Sequence, residues 1–295
     1  MWQPVTLPFK NHDIPCLPTA DEIRQCPHVL KERSTSKVVA VNDKIITKFG
    51  GGIDVWEGQA LLYLEREVPG VPAPRLYAMY YDDMDLFLVM ERAPGVQLDF
   101  IWPSLTAGEK DSIIAQLHPI FETLRAAECP WPNFFGGLDG GSVHHYLFYD
   151  QNGSGAHLRP FQDEASFIAA LVGNYRALVE NNGRQDFKVR FFEEHLPKAL
   201  QNHRPTLTHG DVQRQNIIVS ERQKDQEVDG ERSFDIVLVE WEKAGRLPDF
   251  WETFSACSLF DLAYWEEDWC WLVGQFLPVN ASELALMLMI DKDMR

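Results

Sequence analysis

A change of hydrophobic pattern near residues 92–96 constrains the fold of this chain more than any other feature. Before this point, residues 36–50 and 75–92 each have the pattern of two short β-strands joined by a polar turn. Between them, residues 53–68 carry apolar side chains at helical spacing. The order β-β-α-β-β predicts a compact sheet that carries one helix.

Helical patterns dominate the chain after this point. Residues 106–129 have the spacing of a long amphipathic helix, and Thr106 with Glu109 three residues later predicts a capping box at its start. The C-terminal part, rich in Trp and Leu, and two earlier stretches also have helical patterns: 163–182 and 187–200. Two β-rich stretches interrupt the helices, and the first contains a loop: 205–220 and 233–245.

These patterns predict an α+β protein with two lobes, for which 295 residues are long enough. The N-terminal lobe is residues 1–94, in which a Pro-rich, irregular arm over residues 1–30 precedes the sheet with its one helix. The C-terminal lobe is residues 95–295 and is mainly helical. It contains the strand-loop-strand segment and the β-rich stretch that follows.

The composition excludes some functional classes. Apolar residues make up 45% of the chain and charged residues 24%, as in soluble globular proteins. The formal net charge is −17 and no run of Lys and Arg offers a basic patch, so we expect no nucleic-acid partner. A cationic small molecule, or an anion bound together with a metal ion, is compatible with this charge.

The sequence also indicates a compartment. The five cysteines are odd in number and include no CxxC pair, which favours neither a zinc site nor a disulfide framework. The N-terminus lacks a basic start followed by an apolar core. No stretch approaches the roughly 18 apolar residues of a membrane span. We therefore expect a cytoplasmic protein without a membrane partner.

The loop "THGDVQRQN", residues 208–216, carries the motif with the most chemistry. His209, Asp211 and Asn216 fit the spacing H-x-D-x-x-x-x-N. An isolated Asp between two strands is usually a turn residue that caps its own backbone. Phosphoryl transfer, however, needs an acid that orients the attacking hydroxyl and oxygen ligands for a metal ion. This loop offers both.

Three more residues, two before this loop and one after it, occur in the chain order in which protein kinases carry their phosphate-binding and metal-binding residues. Lys48 ends the second run of the first hairpin, Glu57 lies on the next helix, and Glu240 ends the strand after a polar hairpin tip. Lys48 alone would be a solvated lysine at a strand end, and Glu57 alone a surface charge. Their order and nine-residue spacing favour an ion pair.

Five segments carry a resemblance to a known family: "LTHGDVQRQNIIV", "IVLVEWEKAGRLPDFWE" with its WExAG pattern, "KFGGGIDVWEGQALLYL", "VPGVPAPRLY" and "LVMERAPGVQL". They resemble the aminoglycoside phosphotransferase-like family of small-molecule kinases, relatives of choline kinases, and its fungal members in particular. The resemblance covers residues 36–260. It implies a protein-kinase-like bilobal fold with ATP as the phosphoryl donor, and it leaves the acceptor open.

The resemblance implies a role for each matching residue. Asp211 would accept a hydrogen bond from the acceptor hydroxyl and act as catalytic base, while His209 would pack behind the loop. Asn216 would bind one Mg²⁺. Lys48 would pair with the α- and β-phosphates, and Glu57 would hold Lys48 in place. Four residues would pass behind the adenine and contact its edge through backbone groups: Met90, Glu91, Arg92 and Ala93.

Glu240 departs from the family pattern, which usually has Asp before "WE". Mg²⁺ prefers octahedral geometry with ligands at roughly 2.0–2.1 Å, and an extra methylene can misplace the carboxylate oxygens. Glu240 is therefore either a metal ligand or an inert replacement. Glu242 either makes structural hydrogen bonds or substitutes as the ligand. The chain also has no G-x-G-x-x-G loop before Lys48. Its three consecutive glycines, Gly50–Gly52, come after the lysine.

Three other features have simpler explanations. The acidic "WEEDW", residues 265–269, could receive a cationic acceptor, but a solvated helix face explains it as well. His144 and His145 point to opposite faces of an extended segment and make a poor metal site. The aromatic "WPNFFGG", residues 131–137, fits core and loop packing better than base stacking.

The sequence thus predicts an ATP- and Mg²⁺-dependent phosphotransferase that acts on a hydroxyl of a small molecule. Transfer would be direct and in line, because no nucleophilic His, Ser or Cys belongs to the constellation. The alternative is a kinase-fold protein that has lost phosphotransfer and serves as a ligand-binding module or in other small-molecule chemistry, which Glu240 favours. A protein kinase is disfavoured because no A-P-E segment follows Glu240.

Overall fold

The computed structural model of the chain describes residues 2–12, 14, 16–149, 159–222, 231–258 and 268–295. The chain forms two compact units, each made of two stretches: Met1–Ile113 with Arg214–Glu242, and Ile114–Gln213 with Lys243–Arg295. Among the described residues, no helix has the length and apolar character required to cross a membrane. The lobe limits 1–94 and 95–295 stay a prediction.

A six-stranded antiparallel sheet forms much of the first unit. From one edge to the other its strands are β1 (Phe9–Lys10), β5 (Leu76–Asp82), β6 (Asp85–Glu91), β4 (Ile45–Gly50), β3 (Ser36–Ala40) and β2 (Val29–Arg33). The helix α2 (Trp56–Glu67) connects β4 to β5. Both predicted hairpins, β3–β4 and β5–β6, and the predicted helix are confirmed.

Aromatic rings and a close helix contact form the core of this sheet. Phe87 stacks on Phe49 and on Tyr80, with ring centroids 5.1 and 5.3 Å apart. The helix α2 approaches the sheet at Gly58, where a Cβ atom would lie 2.6 Å from the Met79 sulfur. Because glycine permits this approach, the neighbouring residue Glu57 is buried beside the sheet.

The N-terminal arm is more regular than the sequence predicts. Residues 1–30 were expected to be irregular, but β1 pairs with β5 and a short helix, α1 (Ala20–Arg24), follows. A capping box starts this helix: the Glu22 backbone NH donates to Thr19 Oγ1 at 3.3 Å, and the Thr19 NH donates to Glu22 Oε2 at 2.7 Å. Five residues are too few to show helical periodicity, so only this pair marks the helix.

A second, three-stranded sheet completes the first unit, with β10 (Ile217–Glu221) between β7 (Val96–Gln97) and β11 (Phe234–Leu238). Gly95 precedes β7 with a φ of 106°, and a Cβ there would lie 2.1 Å from the Val219 carbonyl oxygen. The β10–β11 hairpin brings Asn216 and Val239 together at one end. There the Val239 NH donates to the Asn216 carbonyl oxygen at 3.0 Å.

The predicted helices of the remaining chain are present. The capping box of the long helix α4 (Ala107–Ala126) joins the Thr106 NH to Glu109 Oε2 at 3.0 Å and the Glu109 NH to Thr106 Oγ1 at 3.1 Å. The other helices are α3 (Leu98–Ile101), α5 (Glu164–Asn181), α6 (Phe187–Ala199), α7 (Trp251–Cys257), α8 (Trp269–Phe276) and α9 (Ala281–Met294).

The single strand predicted over residues 233–245 is wrong. The chain leaves β11, passes through a 3₁₀ turn at Trp241–Lys243, and enters a different sheet as β12 (Gly245–Pro248). In the second unit, β12 lies between β8 (Gly136–Gly137) and β9 (Pro205–Thr208). The break follows from Glu240, whose φ of 64° is incompatible with an extended strand.

Aromatic side chains dominate the core of the second unit. Trp251 on α7 is fully buried, and its ring lies 5.9 Å from Phe148 and 5.5 Å from Phe167 between centroids. Phe134 and Phe135 of the "WPNFFGG" segment are buried as well. The prediction that this segment supplies core packing is confirmed.

Candidate active site

Lys48 and Glu57 form the ion pair that their spacing predicts. Lys48 lies on β4 and Glu57 at the start of α2, and the Lys48 Nζ donates to Glu57 Oε2 at 2.8 Å. Lys48 is 8% exposed and Glu57 is 5% exposed. The two charges are therefore held together in a largely dry environment, which fixes the direction of the lysine side chain.

Glu240 and Glu242 also bind Lys48. The Nζ atom donates to Glu240 Oε2 at 3.0 Å and to Glu242 Oε2 at 2.8 Å, and Glu240 pairs with Lys31 at 3.5 Å through its other oxygen. Glu240 has a φ of 64°, which is uncommon for a residue with a side chain. The Glu240 side chain thus extends to the lysine.

Burial and charge determine the protonation of this cluster. Burial alone would lower the pKa of Lys48, but Glu57, Glu240 and Glu242 together raise that pKa above its ordinary value. Burial raises the pKa of Glu57, which Lys48 opposes. For Glu240, burial is outweighed by Lys48 and Lys31, and its pKa is lowered. Lys48 is therefore charged at neutral pH.

The donor set of this cluster suits a divalent cation. Carboxylate oxygens of Glu57, Glu240 and Glu242 lie within 4.8 Å of one another. Asn216 is buried at the end of the β10–β11 hairpin. Its backbone carbonyl oxygen accepts a hydrogen bond from the NH of Val239, the residue before Glu240. Carboxylate and amide oxygens are the ligands that Mg²⁺ prefers. Glu57, Glu240 and Glu242 are thus the residues whose spacing could hold the ion, and the role of Asn216 as a ligand stays a prediction.

A small cavity beside Lys48 is lined by two further basic side chains, Lys31 and Arg33, to which the sequence motifs assign no role. Its lining is Lys31, Arg33, Ser36, Val38, Lys48 and Glu240. Lys31 and Arg33 are two residues apart on β2, so they lie on one face of that strand. The i, i+2 spacing of these two basic residues is the feature of the sequence that could have indicated them. Three basic side chains and the carboxylate of Glu240 thus lie around one small cavity.

The triglycine segment supports the β2–β3 hairpin. A Cβ at Gly50 would lie 2.3 Å from the Thr35 carbonyl oxygen, and the Gly52 NH donates to that oxygen at 3.0 Å. Thr35 lies in the turn between β2 and β3. Gly50–Gly52 therefore permit close approach of the hairpin turn, which explains glycines that follow the lysine.

The stretch Met90–Ala93 begins at the end of β6. Met90 pairs with Ile46 of β4, the Glu91 NH donates to the Arg75 carbonyl oxygen at 2.8 Å, and the Arg92 NH donates to the Lys44 carbonyl oxygen at 2.9 Å. These bonds engage the N–H groups of Glu91 and Arg92 within the protein. The adenine-binding role of this stretch stays a prediction.

The predicted catalytic loop follows β9 in the second unit. The backbone NH groups of His209 and Gly210 donate to the two carboxylate oxygens of Glu252 at 2.7 and 3.0 Å. The Asp211 NH donates to His209 Nδ1 at 3.2 Å. His209 is buried, so it packs inside the loop as predicted. The loop conformation is thus fixed from beneath by Glu252 on α7.

Asp211 carries an ion pair of its own. Its Oδ2 atom lies 3.0 Å from the Nζ of Lys243. The Asp211 side chain is 15% exposed and that of Lys243 29%. The carboxylate is therefore partly exposed, and a cation lies beside it. Sequence reasoning assigned no role to Lys243 or Glu252, although "WEKAG" and "DFWE" both belong to the resembling segments.

The remaining candidate features lie apart from these contacts. Burial lowers the pKa of His145 to about 3, and its neutral ring packs edge-on against Trp251 at 5.1 Å. Within the described residues, the carboxylates around Lys48 are the group whose spacing suits a metal ion. Residues 265–267 of the "WEEDW" segment lie outside the described residues.

Comparison with protein families gives the class of this chain. The model of the phosphotransferase enzyme family (APH) matches residues 56–230, more than half of the chain. The chain belongs to this family. The resemblance predicted from the sequence is confirmed, and so is the prediction of a small-molecule kinase. No curated protein matches the chain in sequence.

Solved structures similar to this APH family member include three of aminoglycoside phosphotransferase APH(4)-Ia. One is 14% identical with a TM-score of 0.54, over 90% of this chain and 81% of that chain. A thermostable mutant in ternary complex with AMP-PNP and hygromycin B is 13% identical with a TM-score of 0.55, over 89% and 82%. Another, with ADP and hygromycin B, is 14% identical with a TM-score of 0.53, over 89% and 82%. The predicted α+β, protein-kinase-like fold is confirmed.

Proposed function

We propose that this APH family member is an ATP- and Mg²⁺-dependent phosphotransferase that acts on a hydroxyl of a small molecule. The observation that carries the proposal is the buried Lys48–Glu57 pair, 2.8 Å apart. A lysine that a helix glutamate holds in place is the element that phosphoryl transfer requires on the donor phosphates. Lys31 and Arg33 beside it supply further positive charge.

The proposed reaction is a direct displacement on the γ-phosphorus of ATP. The acceptor oxygen forms a bond to phosphorus as the bond between phosphorus and the bridging oxygen of ADP breaks. The hydroxyl proton passes to the Asp211 carboxylate and from there to solvent. Bound Mg²⁺ would neutralise charge on the phosphate oxygens, with Asn216 and Glu240 as its protein ligands and Glu242 beside them.

The donor and acceptor classes have indirect support. AMP-PNP and ADP are bound in structures of APH(4)-Ia, which supports a nucleotide as donor, with Met90–Ala93 behind its adenine. Hygromycin B in the same structures supports a small molecule as the acceptor. The net charge of −17 favours a cationic one. We also propose a cytoplasmic location, because the five cysteines are free thiols.

A second function has one observation in its favour. Glu240 replaces the usual Asp and pairs with Lys48 at 3.0 Å. The proposed metal ligand, Glu240, and the proposed phosphate-binding residue, Lys48, therefore neutralise each other's charge. A protein that has lost phosphotransfer and binds a small molecule would tolerate this arrangement. The two functions differ in whether nucleotide binding requires Mg²⁺.

Calorimetric titration with ATP, once with Mg²⁺ and once with EDTA, distinguishes the two functions. Mg²⁺-dependent binding is the result expected of the phosphotransferase. Absence of binding under both conditions would favour the ligand-binding module. The experiment needs no knowledge of the acceptor.

The Asp211→Asn variant tests the catalytic assignment. ADP release from Mg²⁺-ATP is measured with hygromycin B and with a panel of hydroxylated organic cations as acceptors. We expect the rate to fall by about 10²–10⁴-fold, the contribution of a general base, while ATP affinity stays unchanged. Asp111→Asn, an exposed aspartate on α4, is the matched control. Full activity of Asp211→Asn would show that another group is the base.

A further inference from the structure

Lys243 is placed beside Asp211 by the second-unit sheet. Gly245 of β12 lies opposite Thr208 of β9, so the residues that precede Gly245 and those that follow Thr208 leave the sheet at the same end. The backbones then approach closely: a Cβ at Gly210 would lie 2.5 Å from the Lys243 carbonyl oxygen, and Gly210 has a φ of 76°. The Lys243–Asp211 pair at 3.0 Å follows from this packing.

The charge of Lys243 has no other acidic partner in the part of the chain that the structure describes. An ammonium group has three N–H donors, of which the Asp211 bond uses one. The two side chains are only 15% and 29% exposed, and a partly buried ion pair need not add to stability, because desolvation of the charges offsets their attraction. The stability of the fold therefore does not explain why a lysine occupies this position. Binding of a negatively charged ligand beside Asp211 would explain it.

On the basis of the proposed function, we infer that Lys243 is a further catalytic residue, whose ammonium contacts the transferred phosphoryl group beside Asp211. Lys243 fills the position that the WExAG pattern leaves open.

The distances allow this contact. A hydroxyl bound to Asp211 lies about 2.7 Å from the carboxylate, and the attacked phosphorus lies about 3–3.5 Å beyond that oxygen. The Lys243 Nζ starts 3.0 Å from the same carboxylate on a flexible four-carbon chain. Negative charge spreads over the three equatorial oxygens in the transition state, where the ammonium would stabilise it. Lys243 transfers no proton in this step.

A mimic of the transferred group tests the contact without any acceptor. The affinity of the protein for Mg²⁺-ADP is measured by calorimetry with and without aluminium fluoride, which stands for the phosphoryl group. We expect Lys243→Ala to bind ADP as the wild type does and to lose about 100-fold of the affinity for ADP with aluminium fluoride. Lys243→Arg keeps most of it. Lys198→Ala, which removes an exposed lysine paired with Glu194, is the control and changes neither affinity.

The outcomes separate this inference from the proposed function. Equal loss of both affinities in Lys243→Ala would show a structural role, and no loss of either would remove Lys243 from the reaction. A wild type that gains nothing from aluminium fluoride would also contradict the contact. If the wild type does not bind Mg²⁺-ADP at all, the proposed function is wrong and the role of Lys243 falls with it.

As a second readout, ethylammonium should restore ADP release by Lys243→Ala but not by Asp211→Asn. A small amine can replace a missing ammonium group and cannot replace a missing carboxylate. Failure of the amine to act on Lys243→Ala, in a variant that binds nucleotide normally, would argue for a positioning role through Asp211 alone.

Discussion

We predict that Glu252 couples the stability of the protein to pH. It is 3% exposed, and both of its oxygens accept backbone N–H bonds from the loop at residues 208–216, at His209 and Gly210. Burial raises the pKa of Glu252 from 4.5 to about 7, against the opposing effect of those hydrogen bonds. Replacing it by glutamine keeps the size of the side chain and removes the titration.

The expected magnitude follows from this shift. Between pH 4.5 and about 7, the folded protein retains a proton on Glu252 that the unfolded chain has released. The free energy of unfolding therefore falls as pH rises through this window. At about 1.4 kcal/mol for each pKa unit, the total fall is about 3 kcal/mol. Above pH 7 the carboxyl is ionised in both states and the effect is complete.

Urea unfolding, followed by tryptophan fluorescence at pH 5 and pH 8, measures this contribution. The net charge of −17 adds a pH dependence of its own, so the comparison is between variants. We expect the wild type to lose about 3 kcal/mol more than Glu252→Gln between the two pH values. Glu122→Gln, an exposed glutamate on α4, should behave as the wild type does. The same pH dependence in wild type and Glu252→Gln would refute a raised pKa at this residue.

Other substitutions test the two sets of site residues. Glu240→Ala should weaken Mg²⁺-dependent ATP binding in calorimetry and Glu240→Asp should keep or improve it; unchanged binding by the alanine variant would exclude Glu240 as a ligand. Arg33→Ala should weaken ATP binding by about tenfold, the loss of one charge-assisted hydrogen bond, and equal affinity would show that its cavity does not receive phosphates. Gly210→Ala should lower stability by about 1–3 kcal/mol in thermal unfolding, since its φ is 76° and Lys243 blocks a Cβ. A variant as stable as the wild type would contradict that contact.

The sequence predicts the fold wherever the hydrophobic period is clear and the segments are long enough. The β3–β4 and β5–β6 hairpins and the helix α5 were recognised because alternation or helical spacing extends over their whole length. The strand β2 and the five-residue helix α1 were missed, since the first is exposed along its length and the second is too short for a period. Tertiary pairing with β3 makes β2 a strand.

Contacts within the candidate site were predictable only where two residues share a motif. Lys48 and Glu57 were paired correctly because a strand and the helix after it fix their separation. The bond from Lys48 to Glu240 depends on the left-handed backbone at Glu240, which no spacing reveals. The Lys243–Asp211 pair depends on the register between two strands that are distant in sequence.

The charges around Lys48 bear on how a glutamate can stand where the family usually has Asp. Glu57, Glu240 and Glu242 all bind Lys48, and Glu240 also pairs with Lys31, so in these ion pairs two cations face three carboxylates. The cluster thus has excess negative charge and would repel a polyphosphate. A divalent cation reverses this balance, and phosphates that bind Lys48 would displace Glu240 and Glu242 from it. Glu240 would then release Lys48 and bind the metal ion instead. Because the phosphates would take the place of Glu240 on Lys48, the phosphates and the ion would have to bind together.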